Sequence, residues 1–362
     1  MQLPAEIFRL RAKLNQLAGA VKSFDLGISV VAESQNPSSF PTKTPADPAL
    51  FDLLVLGSGI AGLAAARLAQ NDGKSVLVID KGRRLGGRVS TRRQDGFVFN
   101  HGAQFVTAKD TEFADLLDMA KAAGNIKDWQ VSDNKIVQIG TPSMRDLPQF
   151  MATGLMIRQQ TEITKIAHHG GHIGFFDKDG LIATGRQAII TAPAAQTGKL
   201  LVDIYPELTA TAGLVSYDPC WTIMLGLEGD HALGSAPLRD EAAGIALGVP
   251  EMTRSNQQSG LGAPALTIQA TGAWSQQHLQ DDPQMVIENL CQIWQNLSGK
   301  PLGIIITATT HRWLYAKVTT AAPRDALRLS NDRKLAIAGD WLGGPRVEQA
   351  FDSGQQAYHN LR

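Results

Sequence analysis

Three glycines with the spacing G-x-G-x-x-G directly follow an apolar run, residues 53–56, early in the chain. Gly57 permits a tight turn, Gly59 lets the backbone approach a pyrophosphate, and Gly62 allows a helix to pack closely on a strand. A helix that begins near Gly59 would direct its free N–H groups at the anion. The predicted phosphate-binding turn comprises Gly57, Gly59, Ile60, Ala61 and Gly62.

The elements that must position this turn are also predicted by the sequence. Apolar residues recur at helical spacing after Gly59, and residues 75–79 then have the pattern of a second strand, which ends at Asp80. A carboxylate there can accept hydrogen bonds from an adenosine ribose, and it would repel a 2′-phosphate. Glycines alone also punctuate ordinary loops. Because strand, helix, second strand and acid occur in order, the segment predicts dinucleotide binding and disfavours NADP.

A basic loop, KGRRLGGR at residues 81–88, follows where a simple NAD domain would more often continue into its next helix. Gly86 and Gly87 let backbone amides approach a second set of oxygens, and Arg88 can neutralise pyrophosphate charge. The two arginines before those glycines are interpreted as part of a solvated loop. This loop favours FAD over NAD as the cofactor.

A strand, a loop and a helix near the C-terminus offer the same chemistry again. Residues 335–338 are apolar and are followed by Gly339 and Asp340; after the loop 343–345 a helix begins whose apolar residues share one face. Proline fits the first turn of that helix. The acid, the glycines and the helix N-terminus predict a second anion site, and FAD is long enough to need both sites. The alternative is an ordinary C-terminal strand–helix unit.

Five segments follow one another in a recognisable order: DKGRRLGGRVSTRR (80–93), HGAQF (101–105), PCWTIML (219–225), HRWLYA (311–316) and AGDWLGGPRVEQAFDSG (338–354). Together they resemble the renalase-like branch of the FAD-dependent amine oxidase superfamily over residues 51–362. The glycine motifs are shared by many flavoproteins, and PCW and HRWLYA are the more specific segments. The resemblance implies a dihydronicotinamide-type hydride donor, O2 as acceptor and H2O2 as product.

The resemblance extends the predicted cofactor site. It places Asp340 at the ribityl–phosphate region and the amides of the helix after it at the flavin N1–C2=O edge, where a helix N-terminus stabilises negative charge. It also implies backbone contacts from Ile163 to adenine. Beyond the first turn, the predicted cofactor-binding residues are Asp80, Lys81, Gly86, Gly87, Arg88, His101, Gly102, Ala103, Ile163, Gly339, Asp340, Arg346, Val347 and Glu348.

Aromatic residues of PCW and HRWLYA are candidates for an apolar roof over the flavin ring. The predicted catalytic residues are His311, Trp313, Tyr315, Trp221 and Gln104. Core packing is the alternative for each aromatic residue, and it is favoured for Trp274. Because a histidine ordinarily titrates near neutrality, His311 is a candidate acid–base group, or else a core histidine bonded to backbone. Lys317 is the nearest candidate for the lysine that amine oxidases hold near flavin N5.

Composition limits the partners and the location. Lys+Arg and Asp+Glu both total 34, so the summed field offers no general attraction for nucleic acid. No apolar run approaches the ~20 residues that cross a bilayer. Cys220 and Cys291 show no metal-ligand spacing, which predicts a reducing compartment, the cytoplasm, and no metal site. Because no cysteine follows Cys291, where covalent amine oxidases carry their flavin-linked cysteine, the FAD is predicted to be non-covalent.

The length of the chain favours two lobes, because single cores stop growing near ~250–300 residues. The predicted fold class is α/β, with a Rossmann-type FAD-binding domain and a second α+β substrate domain in an amine oxidase/p-hydroxybenzoate hydroxylase-like architecture. Residues 1–49 are predicted to be a partly disordered N-terminal extension, with an organelle-targeting segment as the less favoured alternative. The predicted domain segments are 50–107, 155–198 and 313–362 for FAD, and 108–154 and 199–312 for substrate.

Two other functions stay open at this level. The first is a true amine or polyamine oxidase of the same superfamily. The second is a non-catalytic flavin-binding protein whose N-terminal extension docks a partner. The oligomeric state is not predicted.

Overall fold

The computed structural model describes residues 49–132, 134–228, 233, 236–253 and 264–362, so the predicted extension up to residue 48 lies outside the described residues. The strands β1 to β16 are Leu50–Leu56, Val76–Ile79, Thr91–Gln94, Phe97–Asn100, Ile126–Ser132, Lys135–Gly140, Ile157–Arg158, Lys165–His169, His172–Phe176, Leu181–Ile190, Ser216–Leu227, Leu238–Asp240, Ile245–Pro250, Ala265–Ala270, Ile305–Thr320 and Leu335–Ile337. The helices α1 to α8 are Ile60–Asn71, Thr111–Ala122, Asp146–Ala152, Ala194–Leu201, Pro206–Gly213, Gly272–Gln277, Pro283–Ser298 and Val347–Leu361.

The first sheet brings the ends of four parallel strands to one edge. Its strands lie in the order β7-β2-β1-β10-β9-β8, and β16 pairs in parallel with the last residues of β10. Leu56 at the end of β1 lies opposite both Ile79 and Ile190, and Ile190 lies opposite Ile337. The carboxyl ends of β1, β2, β10 and β16 are therefore level. In open α/β sheets, this is the edge at which ligands bind.

Both faces of this sheet are covered, because successive side chains of β1 enter different cores. Leu53 and Val55 pack with the alanines of α1 and with α8, whereas Leu54 and Leu56 pack with α4 and α5. A parallel sheet buried on both faces explains why β1 is a continuous apolar run rather than an alternating one.

Helices α1 and α8 lie against each other, although they belong to opposite ends of the described chain. A Cβ atom added to Gly354 of α8 would lie 2.1 Å from the carbonyl oxygen of Ala61 in α1. Only glycine allows this approach. The contact brings the first turn of α1 against the middle of α8.

The second sheet has the order β12-β13-β14-β11-β15 and is antiparallel. One face is a core in which Ile223 and Leu225 pack with Leu290 and Trp294 of α7. On the other face, Met224 packs with the aromatic rings of the β3–β4 hairpin. Gly226 lies under one of those rings, because a Cβ there would come within 2.5 Å of Phe97.

The strand β15 crosses one of the predicted domain boundaries. The predicted domain boundary between residues 312 and 313 falls inside this strand, which continues to Thr320 and pairs along its length with β11. The structure therefore assigns residues 313–320 to the second sheet. The remaining predicted domain segments stay predictions.

The described residues contain no helix that is both long and apolar enough to cross a membrane. Within the same residues, no group of three or more histidine, cysteine, aspartate or glutamate side chains is arranged to hold a metal ion.

The close contact of α1 with α8 makes a testable prediction. Gly354→Ala should lower the free energy of unfolding by about 1–3 kcal/mol, because a methyl group would be forced against backbone. This outweighs the gain of about 1 kcal/mol that alanine brings to a helix. The matched control is Gly213→Ala at the end of α5, where a Cβ would meet nothing within 4 Å. Urea unfolding of both variants measures the difference, and equal effects would contradict the contact.

Candidate cofactor and substrate site

The glycine turn after β1 has the conformation that its sequence predicts. Gly57 has φ +108°, and its N–H donates to the carbonyl oxygen of Ile79 at 2.8 Å. A Cβ on Gly62 would lie 1.9 Å from the carbonyl oxygen of Gly57, which excludes any larger residue. At Gly59, the N-cap of α1, a Cβ would meet nothing within 4 Å. The turn thus leaves open space beside the N-cap of α1.

Asp80 holds this turn against the end of β2. Its Oδ2 accepts hydrogen bonds from the backbone N–H of Ser58 at 2.6 Å and from the Ser58 hydroxyl at 2.8 Å. Its Oδ1 accepts from the N–H of Gly82 at 2.6 Å. The ribose contact predicted for Asp80 stays a prediction. Ser58 was not among the predicted site residues, although its place between two motif glycines could have indicated it.

The basic loop lies directly on the glycine turn. The N–H of Gly86 donates to the carbonyl oxygen of Ser58 at 2.9 Å, and a Cβ on Gly87 would come within 3.4 Å of the Gly59 Cα. Gly86 and Gly87 have φ of +108° and +55°. At these two glycines the structure therefore shows a close approach between the backbone of the basic loop and the backbone of the glycine turn.

Arg88 joins this loop to the C-terminal acid. Its guanidinium donates to both carboxylate oxygens of Asp340, at 2.5 and 2.9 Å, in a bidentate pair. It also donates to the carbonyl oxygens of Tyr315 and Ala316, each at 3.2 Å. Asp340 is buried, and Gly339 before it has φ +150°. The two predicted anion sites are thus adjacent in space.

Helix α8 begins at Val347 without a side-chain cap. Its N-cap residue Arg346 and the N-cap Gly59 of α1 both lack a side-chain hydrogen bond to the first turn, within the described residues. Free N–H groups at a helix start attract anions and partial negative charge. Neither of the two helices that pack together is therefore capped by the side chain of its N-cap residue.

Glu348 and Lys81 are engaged by protein groups. Oε1 of Glu348 accepts hydrogen bonds from the N–H of Asp110, at 2.8 Å, and of Lys109, and its Oε2 pairs with Arg346 at 3.1 Å. Glu348 is buried and ties α8 to the start of α2. Lys81 is exposed and lies 3.8 Å from Glu162. Their predicted cofactor contacts stay predictions.

Ile163 is buried in the core beneath the first sheet, in the chain segment that adjoins Asp80. Two residues before it, the N–H of Thr161 donates to the Asp80 carbonyl oxygen at 3.0 Å. This position agrees with a role close to the predicted ribose contact, and the adenine contact itself stays a prediction.

Three aromatic rings form a cluster on the inner face of β15. His101 stacks on Trp313 with ring centroids 5.4 Å apart, and His311 meets His101 and Trp313 edge-on at 5.2 and 4.1 Å. The Trp313 Nε1–H donates to the His101 carbonyl oxygen at 2.9 Å, and the His101 Nε2 lies 3.1 Å from the Ser90 hydroxyl. The structure therefore brings His101, a predicted cofactor residue, together with two predicted catalytic residues.

Both imidazoles in this cluster are poor bases. Burial, followed by the positive charges of His311, Arg92 and Arg145, lowers the pKa of His101 to about 3. Burial and the charge of Arg92 lower the pKa of His311 to about 4. Both rings are therefore neutral at neutral pH.

The segment from His101 to Gln104 packs on the backbone of the basic loop. A Cβ on Gly102 would lie 1.9 Å from the Arg88 carbonyl oxygen, which also accepts from the N–H of Ala103 at 2.8 Å. The buried Gln104 amide donates to the carbonyl oxygens of Gly102, at 2.9 Å, and Asn100. These bonds give Gln104 a bracing role in this segment.

A bulge in β15 gives the sheet its contact with Arg88. Asp218 pairs with Lys317 and Cys220 with Trp313, so residues 314–316 of β15 face the single residue Pro219. Proline has no N–H to donate, and within sheets it is confined to edges and bulges. The carbonyl oxygens of Tyr315 and the residue after it accept from the guanidinium of Arg88 instead.

The bulge sets Tyr315 edge-on against Tyr217, with ring centroids 5.4 Å apart. The Tyr217 Oη accepts a hydrogen bond from the N–H of Ala194 at 3.0 Å, and burial raises the pKa of Tyr217 to about 12. Tyr217 was not among the predicted residues. Its place two residues before the PCW segment was the only available signal.

Trp221 lies on the opposite face of the second sheet. It is buried with Ile223 and Leu225 in the core beneath α7, and its Nε1–H donates to the His278 carbonyl oxygen at 2.9 Å. Trp221 pairs with Arg312 of β15, and the side chain of the next residue in that strand, His311, points to the other face of the sheet. The structure corrects the expectation that Trp221 belongs to the roof. Lys317 is exposed on β15.

These features were compared with known proteins. A family model described as an NAD(P)-binding Rossmann-like domain matches residues 55–141. Over 111 residues the chain is 33% identical to a 4,4'-diapophytoene desaturase (4,4'-diaponeurosporene-forming) of Staphylococcus haemolyticus, covering 28% of this chain and 21% of that protein. Over 67 residues it is 37% identical to a putrescine oxidase of Kocuria rosea, covering 18% and 14%. The chain thus spans about a fifth or less of these relatives.

Solved structures match over a larger part of the chain. Cyclohexylamine oxidase from Brevibacterium oxydans IH-35A superposes with a TM-score of 0.65 at 11% identity, covering 86% of this chain and 98% of that one. A putrescine oxidase bound to putrescine gives 0.66 at 11% identity, covering 86% and 99%. The chain shares its fold with these two oxidases. The predicted fold class is confirmed, and at this identity the likeness shows the fold alone.

The neutral His101 makes the stability of the protein depend on pH. An unfolded histidine takes up a proton below its ordinary pKa of 6.5, whereas the folded His101 does so only near pH 3. The stability that the neutral His101 gives the folded protein is complete above pH 6.5. As the pH falls below this value, the free energy of unfolding decreases by up to about 1.4 kcal/mol per pH unit.

We therefore expect wild type to lose about 2 kcal/mol more between pH 6.5 and pH 5 than His101→Gln does. Urea unfolding at the two pH values measures this difference. The exposed His359 supplies the control, since His359→Gln should retain the wild-type pH dependence. An unchanged pH dependence in His101→Gln would show that His101 titrates normally.

Proposed function

We propose that this chain is an FAD-dependent oxidoreductase that binds FAD non-covalently and takes a hydride from a small organic donor, with O2 as acceptor and H2O2 as product. The donor class we favour is a dihydronicotinamide-type compound. The observation that carries the proposal is the Arg88–Asp340 pair, which brings two uncapped helix starts together at one edge of the sheet.

The residues at this edge fit a long dinucleotide with two different ends. Gly59 and Gly344 each leave open space where a Cβ would meet nothing within 4 Å, one beside each helix start. N–H groups at the two helix starts are suitable donors for a pyrophosphate. A cofactor that needed only the first site would leave the N-terminus of α8 without a partner. FAD has an adenosine half for the first site and a flavin half for the second.

The chemistry of the two thiols supports a non-covalent cofactor. Burial raises the pKa of both Cys220 and Cys291 to about 11. A thiol that is protonated at neutral pH is a poor nucleophile. Cys291 also lies in the core between α7 and the second sheet.

When bound, FAD supplies the two-electron acceptor that no side chain can provide. The chain supplies orientation and electrostatics. The N-terminus of α8 stabilises negative charge that develops next to it. Trp313 and Tyr315 offer flat apolar surfaces that orient a planar donor and exclude water.

The neutral histidines favour a dihydronicotinamide over an amine. A dihydronicotinamide becomes a cationic ring when it loses a hydride, so the step needs no proton acceptor. An aliphatic amine is protonated at neutral pH, with an ordinary pKa near ~10, and must lose a proton first. His311, whose pKa is about 4, is too weak a base for that task.

An amine or polyamine oxidase is the second candidate. One observation favours it: the edge-on pair Tyr217 and Tyr315 offers an aromatic surface of the kind that an alkyl amine could contact. The two solved structures named above are also amine oxidases by name.

Anaerobic mixing of the purified protein with a donor panel tests the proposal. We expect isomeric dihydronicotinamides to bleach the flavin absorbance, and putrescine and cyclohexylamine to leave it oxidised. Admission of air should then restore the absorbance and release H2O2. Acid precipitation should leave all the flavin in the supernatant.

The outcomes separate the candidates. Bleaching by amines alone would replace the proposed donor by the second candidate. A protein that carries no flavin and binds none on reconstitution would overturn both. Lack of bleaching by every donor would remove the oxidoreductase assignment.

A further inference from the structure

An open cavity of about 430 Å³ lies at the outer edge of the first sheet. The chain segment just before β16 pairs with that strand, because Leu329 bridges to Ala336, and the cavity lies between this segment and the last turn of α8. Its volume is within the range of small-molecule sites. The lining consists of residues 326–329, Arg333, His359 and Asn360.

This edge cavity is separate from the proposed cofactor site. Helix α8 begins at Val347 beside that site, and His359 lies 12 positions later, in the last turn of the helix. Twelve residues of α-helix extend about 18 Å. Arg333 precedes β16, whereas Gly339 and Asp340 follow it. The residues that line the edge cavity therefore belong to a different part of the surface.

Three arginines around the edge cavity have no acidic partner. Among the ion pairs formed by the described residues, none includes Arg324, Arg328 or Arg333. Burial, followed by the positive charge of Arg324, lowers the pKa of the half-buried Arg328. Two guanidinium groups are therefore close enough to repel each other, and a bound anion would relieve this repulsion.

The two acids of the same segment do not neutralise these arginines. Asp325 is exposed and enters no ion pair with another described residue. Asp332 is held by other groups: its carboxylate accepts hydrogen bonds from the Tyr205 hydroxyl at 2.9 Å, the Ser330 hydroxyl at 2.6 Å and the N–H of Lys334 at 3.1 Å. The positive charge is thus left for an anion from outside the chain.

The two arginines that line the edge cavity donate only to neutral backbone. Nη2 of Arg328 donates to the Leu342 carbonyl oxygen at 3.1 Å, and its Nε has no hydrogen-bond partner among the described residues. Nη2 of Arg333 donates to the carbonyl oxygens of Asn360 at 2.7 Å and Arg362 at 3.2 Å. A guanidinium carries five N–H donors, so both side chains retain donors for an anion.

The wall next to these cations is apolar. The Leu327 side chain is 51% exposed, and Ala326 and Leu329, both half-buried, adjoin it in the lining. Small-molecule sites combine apolar walls of this kind with a few polar groups that fix the orientation of the ligand. The edge cavity therefore suits a ligand with a charged end and an apolar body.

We propose that the edge cavity binds a phosphate monoester, with the phosphate at Arg328 and Arg333 and the apolar body against Leu327. Two guanidinium groups match the charge of a phosphate monoester, which is close to −2 at neutral pH. The imidazole of His359 and the amide of Asn360 add further hydrogen-bonding groups. The inference does not depend on the proposed function, because none of these residues belongs to the proposed cofactor site.

Calorimetric titration of the purified full chain with phenyl phosphate tests the site. Wild type should bind this probe with a Kd below about 1 mM. Inorganic phosphate lacks the apolar body, and benzyl alcohol lacks the charge. Each of these two probes should bind at least about tenfold more weakly than phenyl phosphate does.

Two variants locate the binding. Leu327→Asn and Arg328→Gln should each weaken the binding of phenyl phosphate about tenfold, and Leu327→Asn should leave the affinity for inorganic phosphate unchanged. Because Leu327 is exposed, Leu327→Asn should fold normally even if Arg328→Gln does not. The matched controls are Leu214→Asn, at a leucine that is 52% exposed, and Arg186→Gln, at an exposed arginine of the first sheet. Both controls should bind phenyl phosphate as wild type does.

The possible results are distinct. Weaker binding of phenyl phosphate in Leu327→Asn and Arg328→Gln, with wild-type binding in both controls, would support the site. Equal affinity in wild type and Leu327→Asn would show that the probe binds elsewhere, and it would overturn the proposal. A wild type that does not distinguish phenyl phosphate from benzyl alcohol or from inorganic phosphate would overturn the assigned ligand class. Lack of saturation up to about 10 mM would overturn the site itself.

Discussion

Arg88 and Asp340, which are 252 residues apart in the chain, hold the two halves of the site together through a bidentate ion pair. The carboxylate of Asp340 is buried. Loss of Arg88 would therefore leave an unpaired carboxylate charge in surroundings of low polarity. The glycine turn, the basic loop and the start of α8 all adjoin this pair. Their donors therefore converge on one region instead of forming two separate anion sites.

The same guanidinium also connects β15 of the second sheet to the site. Pro219 has no N–H to donate to β15, and β15 bulges opposite it. Two carbonyl oxygens of the bulge accept hydrogen bonds from Arg88 instead. The bulge turns Tyr315 toward Tyr217, and the regular strand before it places Trp313, His311 and Thr309 in a row. The row runs along one face of the strand from the bulge to Thr309, whose hydroxyl accepts a hydrogen bond from Arg92.

Local chemistry made the first half of the site predictable, because the glycine spacing, the strand ends and the acid after β2 are encoded within a short stretch of sequence. The second half of the site depends on contacts between residues that are distant in the sequence, and it was harder to predict. Because side chains alternate along β11, Trp221 lies on the same face as Ile223 and not with the predicted roof residues. Its prediction as a roof residue followed its aromatic type instead. The polar and aromatic residues of β15 lack the apolar pattern of a buried strand, so the sequence did not indicate that a strand crosses the predicted boundary at residue 312. The hydrogen bonds from Arg92 of β3 to Thr309 and Thr310 of β15 join distant strands, and no spacing in the sequence indicates them.

The affinity of Gly59→Val for FAD is the most direct measurement of the central claim, that one cofactor lies between the two helix starts. Gly59 has φ −75° and ψ 178°, which valine adopts readily, and its Cβ would enter space that the protein leaves open. The variant should therefore unfold like wild-type apoprotein in urea while it binds FAD at least about tenfold more weakly. Gly213→Val, at another glycine with open space around it, should bind FAD as wild type does. Unchanged FAD affinity in a folded Gly59→Val protein would contradict the account.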